Sequence, residues 1–105
     1  MKFSREYTKL QDRLFTTVRG GSFYNEGQVI ECRTPFGIIK ARVLLKVPRR
    51  FNQIPEAFLQ YDTDSPELSA EQIRDDIRAL YRQDPPQDQE LMMIYLLERQ
   101  PEARS

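Results

Sequence analysis

The segment from Leu91 to Leu97 is seven consecutive apolar or aromatic residues, with no polar side chain at alternate positions. A strand that exposes one face to water alternates apolar and polar residues. An unbroken apolar run of this length, bounded by proline and by charged residues, therefore predicts a strand covered on both faces, at the centre of a sheet or barrel. The chain has 105 residues, which is enough for one domain with a core of about two layers.

Two further strands are predicted ahead of this segment. Residues 28–34 and 37–47 have the composition of strands, and the Thr-Pro-Phe-Gly turn between them favours a hairpin. In the second strand apolar residues alternate with Lys40, Arg42 and Lys46, so we expect the three cations to share one face. That face is compatible with nucleic-acid contact, and equally with the solvated face of a sheet edge.

Two helices are predicted, one near each end of the chain. Ser69 and Gln72 fit a capping box at the start of a helix over residues 70–83. Its apolar face is formed by Ile73, Ile77, Leu80 and Tyr81. Ser4 is a candidate N-cap for a shorter amphipathic helix over residues 5–14.

The cations of the first helix, Arg5, Lys9 and Arg13, recur at a spacing of four residues, which is typical of a solvated helix face. A strand is expected directly after this helix, over residues 15–19, because β-branched and aromatic residues dominate there and Gly20-Gly21 follows. We expect one domain over residues 1–99 and a frayed tail over residues 100–105.

Composition excludes several kinds of site. The chain has no histidine and one cysteine, Cys32, so it has no intramolecular disulfide, no imidazole zinc ligand and no Ser-His or Cys-His nucleophile pair. Asp62-Thr63-Asp64 has too few oxygen ligands for a calcium loop and is interpreted as a turn held by side-chain to backbone hydrogen bonds. We expect no metal and no cofactor. Without a long apolar run or a signal-peptide pattern, we also expect a cytoplasmic monomer with no membrane contact.

Charge is divided unevenly along the chain. Residues 1–50 contain 11 Lys and Arg against 4 Asp and Glu, whereas residues 51–105 contain 5 against 12. This asymmetry indicates either a basic face for nucleic acid or two halves that fold together and neutralise each other.

The segment from Phe15 to Gly21 reads Phe-Thr-Thr-Val-Arg-Gly-Gly, and its two hydroxyls and guanidinium beside a glycine turn suit a phosphate or a base edge. The order of elements resembles ASCH domains of the PUA-like superfamily over nearly the whole chain. That family's early segment typically runs Lys-Thr-x-Thr-x-Arg, and Thr17 and Arg19 match its last Thr and Arg. Gly27-Gln28-Val29-Ile30 is similar to the Gly-Asp and strand that follow. The resemblance implies an α+β fold, a small and mostly antiparallel PUA-like β-barrel with two flanking helices.

The resemblance also implies RNA or a nucleotide as partner. Arg19 would pair with phosphate or guanine, a threonine hydroxyl would bind a base edge or phosphate, and a tyrosine would stack on a base. The candidate binding residues are Thr16, Thr17, Arg19, Tyr24, Lys40, Arg42, Lys46 and Tyr61. Each also has an ordinary structural interpretation, as a strand former, an ion-pair partner or a core tyrosine.

Two alternatives stay open. Some bacterial ASCH proteins remove acyl groups from N4-acylated cytidines with a Lys, a Thr three residues later and a distant Glu, and by resemblance Thr17 would be the nucleophile. The family's Lys then falls on Leu14, which cannot act as a base, so this activity would need Lys9 or Lys40 to reach the site. The other alternative is a protein-interaction domain that uses the acidic second half or an arginine row on the second helix. This row comprises Arg74, Arg78 and Arg82.

Overall fold

The computed structural model describes residues 1–3, 5, 7–21 and 23–101. It contains four strands, two α-helices and two short 3-10 helices. The strands are β1 (Leu14–Gly20), β2 (Val29–Thr34), β3 (Gly37–Arg50) and β4 (Leu91–Arg99). The α-helices are α1 (Glu56–Thr63) and α2 (Ala70–Leu80), and the 3-10 helices cover Thr8–Gln11 and Phe51–Gln53. The α+β class predicted from the sequence is confirmed.

The four strands form one antiparallel sheet in the order β1-β4-β3-β2. β2 and β3 are the predicted hairpin, with Thr34 paired to Gly37 across the turn. β1 and β2 lie at the two edges, so the sheet is open within the part of the chain that the structure describes. No helix in that part is long and apolar enough to cross a membrane.

The apolar segment 91–97 forms most of β4 and lies inside the sheet, as predicted. Successive residues of a strand point to opposite faces. Ile94 and Tyr95 therefore face opposite ways, and each is buried in a different apolar cluster. This is why the segment has no polar alternation.

We name the two faces by what covers them. The N-terminal face is covered by the first residues of the chain, and its buried cluster contains Phe3, Leu10, Phe15, Ile30, Cys32, Ala41, Val43, Tyr95 and Leu97. The helical face is covered by α1, α2 and the segment before them, and its buried cluster contains Phe51, Ile54, Leu59, Ile73, Met92 and Ile94. The two helices thus share one face of the sheet.

The predicted row of three cations on β3 is wrong, because the pairing register between β3 and β4 shifts at Leu44. Arg42 pairs with Glu98, on the helical face, whereas Lys46 pairs with Tyr95, on the N-terminal face. One extra residue in a strand reverses the faces of the side chains that follow it. Lys46 therefore points away from the face that carries the other two cations.

The predicted helix over residues 5–14 is also wrong. Among the described residues of this stretch, the structure has a 3-10 turn at Thr8–Gln11 and no α-helix, and Leu14 already pairs with Glu98 of β4. A helix of that length is marginal on its own, and the hydrogen bonds of the β1–β4 ladder replace it. Ser4, the predicted N-cap, lies outside the described residues.

The predicted helix at residues 70–83 is confirmed over Ala70–Leu80. Its capping box is complete, since the Ser69 hydroxyl accepts from the Gln72 amide and the Gln72 side chain accepts from the Ser69 amide. Only the first half of its apolar face is buried. Leu80 and Tyr81 are 76% and 57% exposed, and they adjoin the pocket described below.

Candidate functional site

The site is built on the free edge of β1. In an antiparallel strand the amide and carbonyl of one residue point to the same side, and alternate residues point to opposite sides. The Arg99 amide donates to the Arg13 carbonyl, so the backbone amides and carbonyls of the odd-numbered residues in this strand point toward β4. The Thr16 carbonyl and the Val18 amide face outward, where they meet the side chains of Lys9 and Asp62.

Asp62 connects these groups. Its Oδ1 accepts from Lys9 Nζ at 2.5 Å, from Thr17 Oγ1 at 3.0 Å and from the Val18 amide at 3.3 Å. Arg19 Nε donates to Thr17 Oγ1 at 3.2 Å. The Lys9 and Asp62 side chains are 1% and 16% exposed. We refer to Lys9, Thr17, Arg19 and Asp62 as the Lys9–Asp62 cluster.

Two aromatic rings lie beneath the cations of the cluster. Lys9 Nζ is 5.5 Å from the centroid of Phe3 and 5.4 Å from that of Tyr7, and the Arg19 guanidinium is 4.6 Å from that of Phe3. Burial lowers the pKa of Lys9 from its usual range, and the neighbouring Asp62 carboxylate opposes this shift. The lysine is therefore closer to its neutral form than a surface lysine would be.

The cluster opens into a pocket of about 440 Å³. Besides Lys9, Thr17, Arg19 and Asp62, the pocket is lined by the end of β1 and the C-terminal end of α2, where Ile77, Leu80 and Tyr81 contribute apolar surface. Lys2, Asp84 and Glu90 add charges. The pocket combines buried hydrogen-bonding groups with an exposed aromatic residue, a combination common in small-molecule sites.

Of the predicted binding residues, Thr17 and Arg19 are brought together here. Thr16 pairs with Leu96, next to Tyr95, so its side chain lies on the opposite face from that of Thr17. Tyr24 is half-buried, and its ring packs edge-on against Tyr95 at 5.6 Å.

Tyr61 does not line the pocket. Its hydroxyl donates to Asp12 Oδ2 at 2.5 Å. Burial, together with the Asp12 carboxylate, raises the pKa of this hydroxyl. The ring thus serves to hold α1 against the segment before β1.

The cations of β3 are not brought to the pocket either. Lys40 lies opposite Glu31 in the register of the β2–β3 hairpin. Arg42 donates from Nη1 to the Gly27 carbonyl. Lys46 points to the N-terminal face, as Arg19 does, but it is not among the residues that line the pocket. Among the described residues, none of these three β3 cations therefore lines the pocket together with Arg19.

Sequence reasoning missed the two central residues of the cluster. Lys9 was expected on a solvated helix face, and Asp62 was expected in a turn. They are 53 residues apart, and only the packing of α1 against β1 brings them together. No spacing rule could have paired them, although the need for a lysine near Thr17 made Lys9 one of two candidates.

Two of the three arginines of the predicted row, Arg74 and Arg78, bind other residues of the same chain. Arg74 donates to the carbonyls of Phe51 and Ile54 at 3.1 and 2.9 Å. Arg78 forms ion pairs with Asp75 and Asp88. These contacts fasten α2 to the neighbouring loops, so they give no support to a partner-binding row.

A second, shallower depression of about 610 Å³ lies beside the end of β4. Gln11, Arg13, Glu98, Arg99, Gln100 and Pro101 line it. It contains the exposed Arg13–Glu98 ion pair but none of the predicted binding residues. Gln100 is bound to the sheet through Lys40, and residues 102–105 of the predicted tail lie outside the described residues. The pocket of about 440 Å³ beside β1 is thus the better candidate site.

Across residues 1–3, 5, 7–21 and 23–101, no three acidic or cysteine side chains are grouped so that they could hold a metal ion.

No protein-family model, curated protein or solved structure matches the chain. The resemblance to ASCH domains stays a prediction from the sequence, and function has to be argued from the pocket.

Proposed function

We propose that this chain binds a nucleotide or nucleoside in the pocket beside β1. The observation that carries the proposal is the buried Thr17 hydroxyl, which donates to Asp62 and accepts from Arg19 in the lining of a pocket of about 440 Å³. Ligand pockets typically have about 300 to 1,000 Å³ and a few well-placed polar groups. Two nearby cations and an aromatic residue at the rim complete the features that a phosphorylated heterocycle would use.

Each part of such a ligand has a complement in the pocket. Arg19 uses Nε on Thr17, which leaves its terminal nitrogens for a phosphate, and Lys2 adds a second positive charge. Tyr81 is exposed at the rim and offers a face on which a base could stack. A long RNA would need cations along a continuous path, and the separation of Lys40 and Arg42 from the pocket favours a single nucleotide.

The same proposal includes the ASCH and PUA-like architecture. Its support is the path of the N-terminal segment. Lys2 pairs in parallel with Arg33 at the outer edge of β2, and Lys9 lies at the outer edge of β1. Lys2 and Lys9 therefore lie at opposite edges of the open sheet, as two points of a strap across a partly closed barrel would.

Binding can be measured by calorimetric titration of the protein with CMP, AMP, cytidine and adenosine at low and moderate salt. We expect the monophosphates to bind more tightly than the nucleosides, with a difference that shrinks as salt is added. Arg19→Ala should weaken monophosphate binding about 10- to 100-fold, because a charge-assisted hydrogen bond is lost. Arg33→Ala, an exposed arginine on β2, is the matched control. The proposal would be refuted if Arg19→Ala and Arg33→Ala bound the monophosphates equally tightly. It would also be refuted if the unaltered protein bound none of the four ligands.

A second candidate function is removal of an acyl group from an N4-acylated cytidine. The observation that favours it is Lys9, which supplies beside Thr17 the lysine that Leu14 cannot provide. Thr17 Oγ1 would attack the acyl carbonyl, and its proton would pass by way of the neutral Lys9 amine to the N4 nitrogen as the amide C–N bond breaks. Water would then hydrolyse the acyl-enzyme and release the carboxylic acid. The lowered pKa of Lys9 makes a proton-accepting role easier.

Incubation with N4-acetylcytidine, followed by chromatography for cytidine and acetate, tests this candidate. We expect Thr17→Ala to abolish turnover and Thr17→Ser, which keeps a hydroxyl, to retain part of it. If concentrated unaltered protein leaves the substrate intact, Thr17 is not the nucleophile of this reaction. Nucleotide binding would then remain the function that the pocket supports.

A further inference from the structure

The outer edge of β1 is only partly used by the chain itself. The Leu14 carbonyl lies 3.4 Å from the Tyr61 hydroxyl, whose hydrogen is directed to Asp12. The Thr16 carbonyl accepts from Lys9 at 3.1 Å, and the Val18 amide donates to Asp62. These side chains take up the edge as far as the Val18 amide.

Beyond that point the edge is open. The backbone amide of Val18 points away from β4. The carbonyl of Val18 and the amide of Gly20, two residues along the strand, therefore point away from β4 as well. Among the residues that the structure describes, neither group has a hydrogen-bond partner. Both residues line the pocket, and the alternation of the strand places this acceptor and this donor next to each other on the same free edge.

The length of this open edge limits what can pair with it. An extended peptide that adds a strand to a sheet needs several consecutive edge groups, and Lys9 and Asp62 already occupy the preceding ones. One carbonyl and one amide match a planar ring that has a hydrogen-bond donor next to an acceptor. The exposed apolar surface of Leu80 and Tyr81 at the same pocket suits the flat faces of such a ring.

We infer that the Val18 carbonyl and the Gly20 amide bind the hydrogen-bonding edge of a nucleobase. The carbonyl accepts from an exocyclic amino group, and the amide donates to the adjacent ring nitrogen, an arrangement that cytosine and adenine both present. The inference rests on the proposed function and deepens it, because it assigns the base to the strand edge and leaves Arg19 and Lys2 for the phosphate.

Gly20 offers a matched pair of variants. Gly20→Pro removes the amide donor without breaking the ladder, since this amide points away from β4. Gly20→Ala keeps the amide, and its added Cβ meets no atom within 4 Å. By calorimetry with cytidine and adenosine, we expect Gly20→Pro to bind about tenfold more weakly, as loss of one hydrogen bond implies. Gly20→Ala, which keeps the donor, should therefore bind cytidine about tenfold more tightly than Gly20→Pro does.

A second measurement needs no variant and so is independent of any folding defect. N4,N4-dimethylcytidine lacks the amino hydrogen that the Val18 carbonyl would accept, and we expect it to bind the unaltered protein about tenfold more weakly than cytidine. Equal binding of the two nucleosides, together with equal binding of cytidine by the two Gly20 variants, would overturn this inference alone. Failure of all the nucleosides and monophosphates to bind the unaltered protein would overturn the proposed function as well.

Discussion

Replacement of Asp62 by alanine is expected to lower the free energy of unfolding by about 3 to 5 kcal/mol. The change removes the partner of Lys9, whose side chain is 1% exposed, and leaves an ammonium group buried without a counter-charge. It also removes the acceptor of the Thr17 hydroxyl and of the Val18 amide. Since domains of this kind are stable by only about 5 to 15 kcal/mol, urea denaturation followed by circular dichroism should show the loss clearly.

The exposed ion pair between Arg13 and Glu98 provides the control. Arg13 has a side chain that is 80% exposed, so Arg13→Ala should change stability by no more than about 1 kcal/mol. If Asp62→Ala were as mild as Arg13→Ala, Lys9 would have to reach water or give up its proton in the folded protein. The Lys9–Asp62 ion pair would then not be needed to hold the edge of β1.

The parts of the fold that could be predicted are those written in local patterns. The apolar segment 91–97 predicts a central strand because it must be covered on both faces, and Ser69 with Gln72 predicts the start of α2 because a capping box involves only neighbouring residues. The face of Lys46 was not predicted, because the three successive apolar residues from Val43 to Leu45 interrupt the alternation without showing whether one of them is an extra residue.

The same distinction applies to the site. Thr17 and Arg19 could be identified because they belong to one short segment with a recognisable composition. Lys9 could not, because the pattern around it favoured a solvated helix, whereas the chain forms a 3-10 turn that directs its ammonium group to Asp62. The exposed end of α2 was missed for a related reason, since periodicity shows which residues share a face but not whether the partner surface is long enough to cover Leu80.

Replacement of both charges by apolar residues, in the variant Lys9→Met with Asp62→Leu, is expected to restore most of the stability that Asp62→Ala removes. A buried ion pair gains little over well-packed apolar residues, because the cost of taking two charges out of water offsets their attraction. We expect a free energy of unfolding within about 1 kcal/mol of the unaltered protein, measured by the same urea denaturation.

The double variant should also lose a component of the pH dependence of stability. The folded-state pKa of Lys9 lies below its usual value of 10.5. At a pH between the lowered folded-state pKa and 10.5, Lys9 is protonated more fully in the unfolded chain than in the folded one. Lys9 therefore makes stability rise with pH over that window. The raised pKa of Tyr61 acts in the opposite direction at high pH but is common to both proteins. The difference between the two stability curves from pH 7 to pH 10 therefore reports on Lys9.

Ligand binding separates a structural role of the charges from a functional one. If the pair served only to cover the edge of β1, the folded double variant would bind CMP as the unaltered protein does. We expect instead a loss of at least about tenfold, because Asp62 and Lys9 line the pocket and Asp62 orients the Thr17 hydroxyl within it. A double variant that kept both its stability and its affinity would show that Lys9 and Asp62 take no part in binding, and would leave the strand edge and Arg19 as the recognition elements.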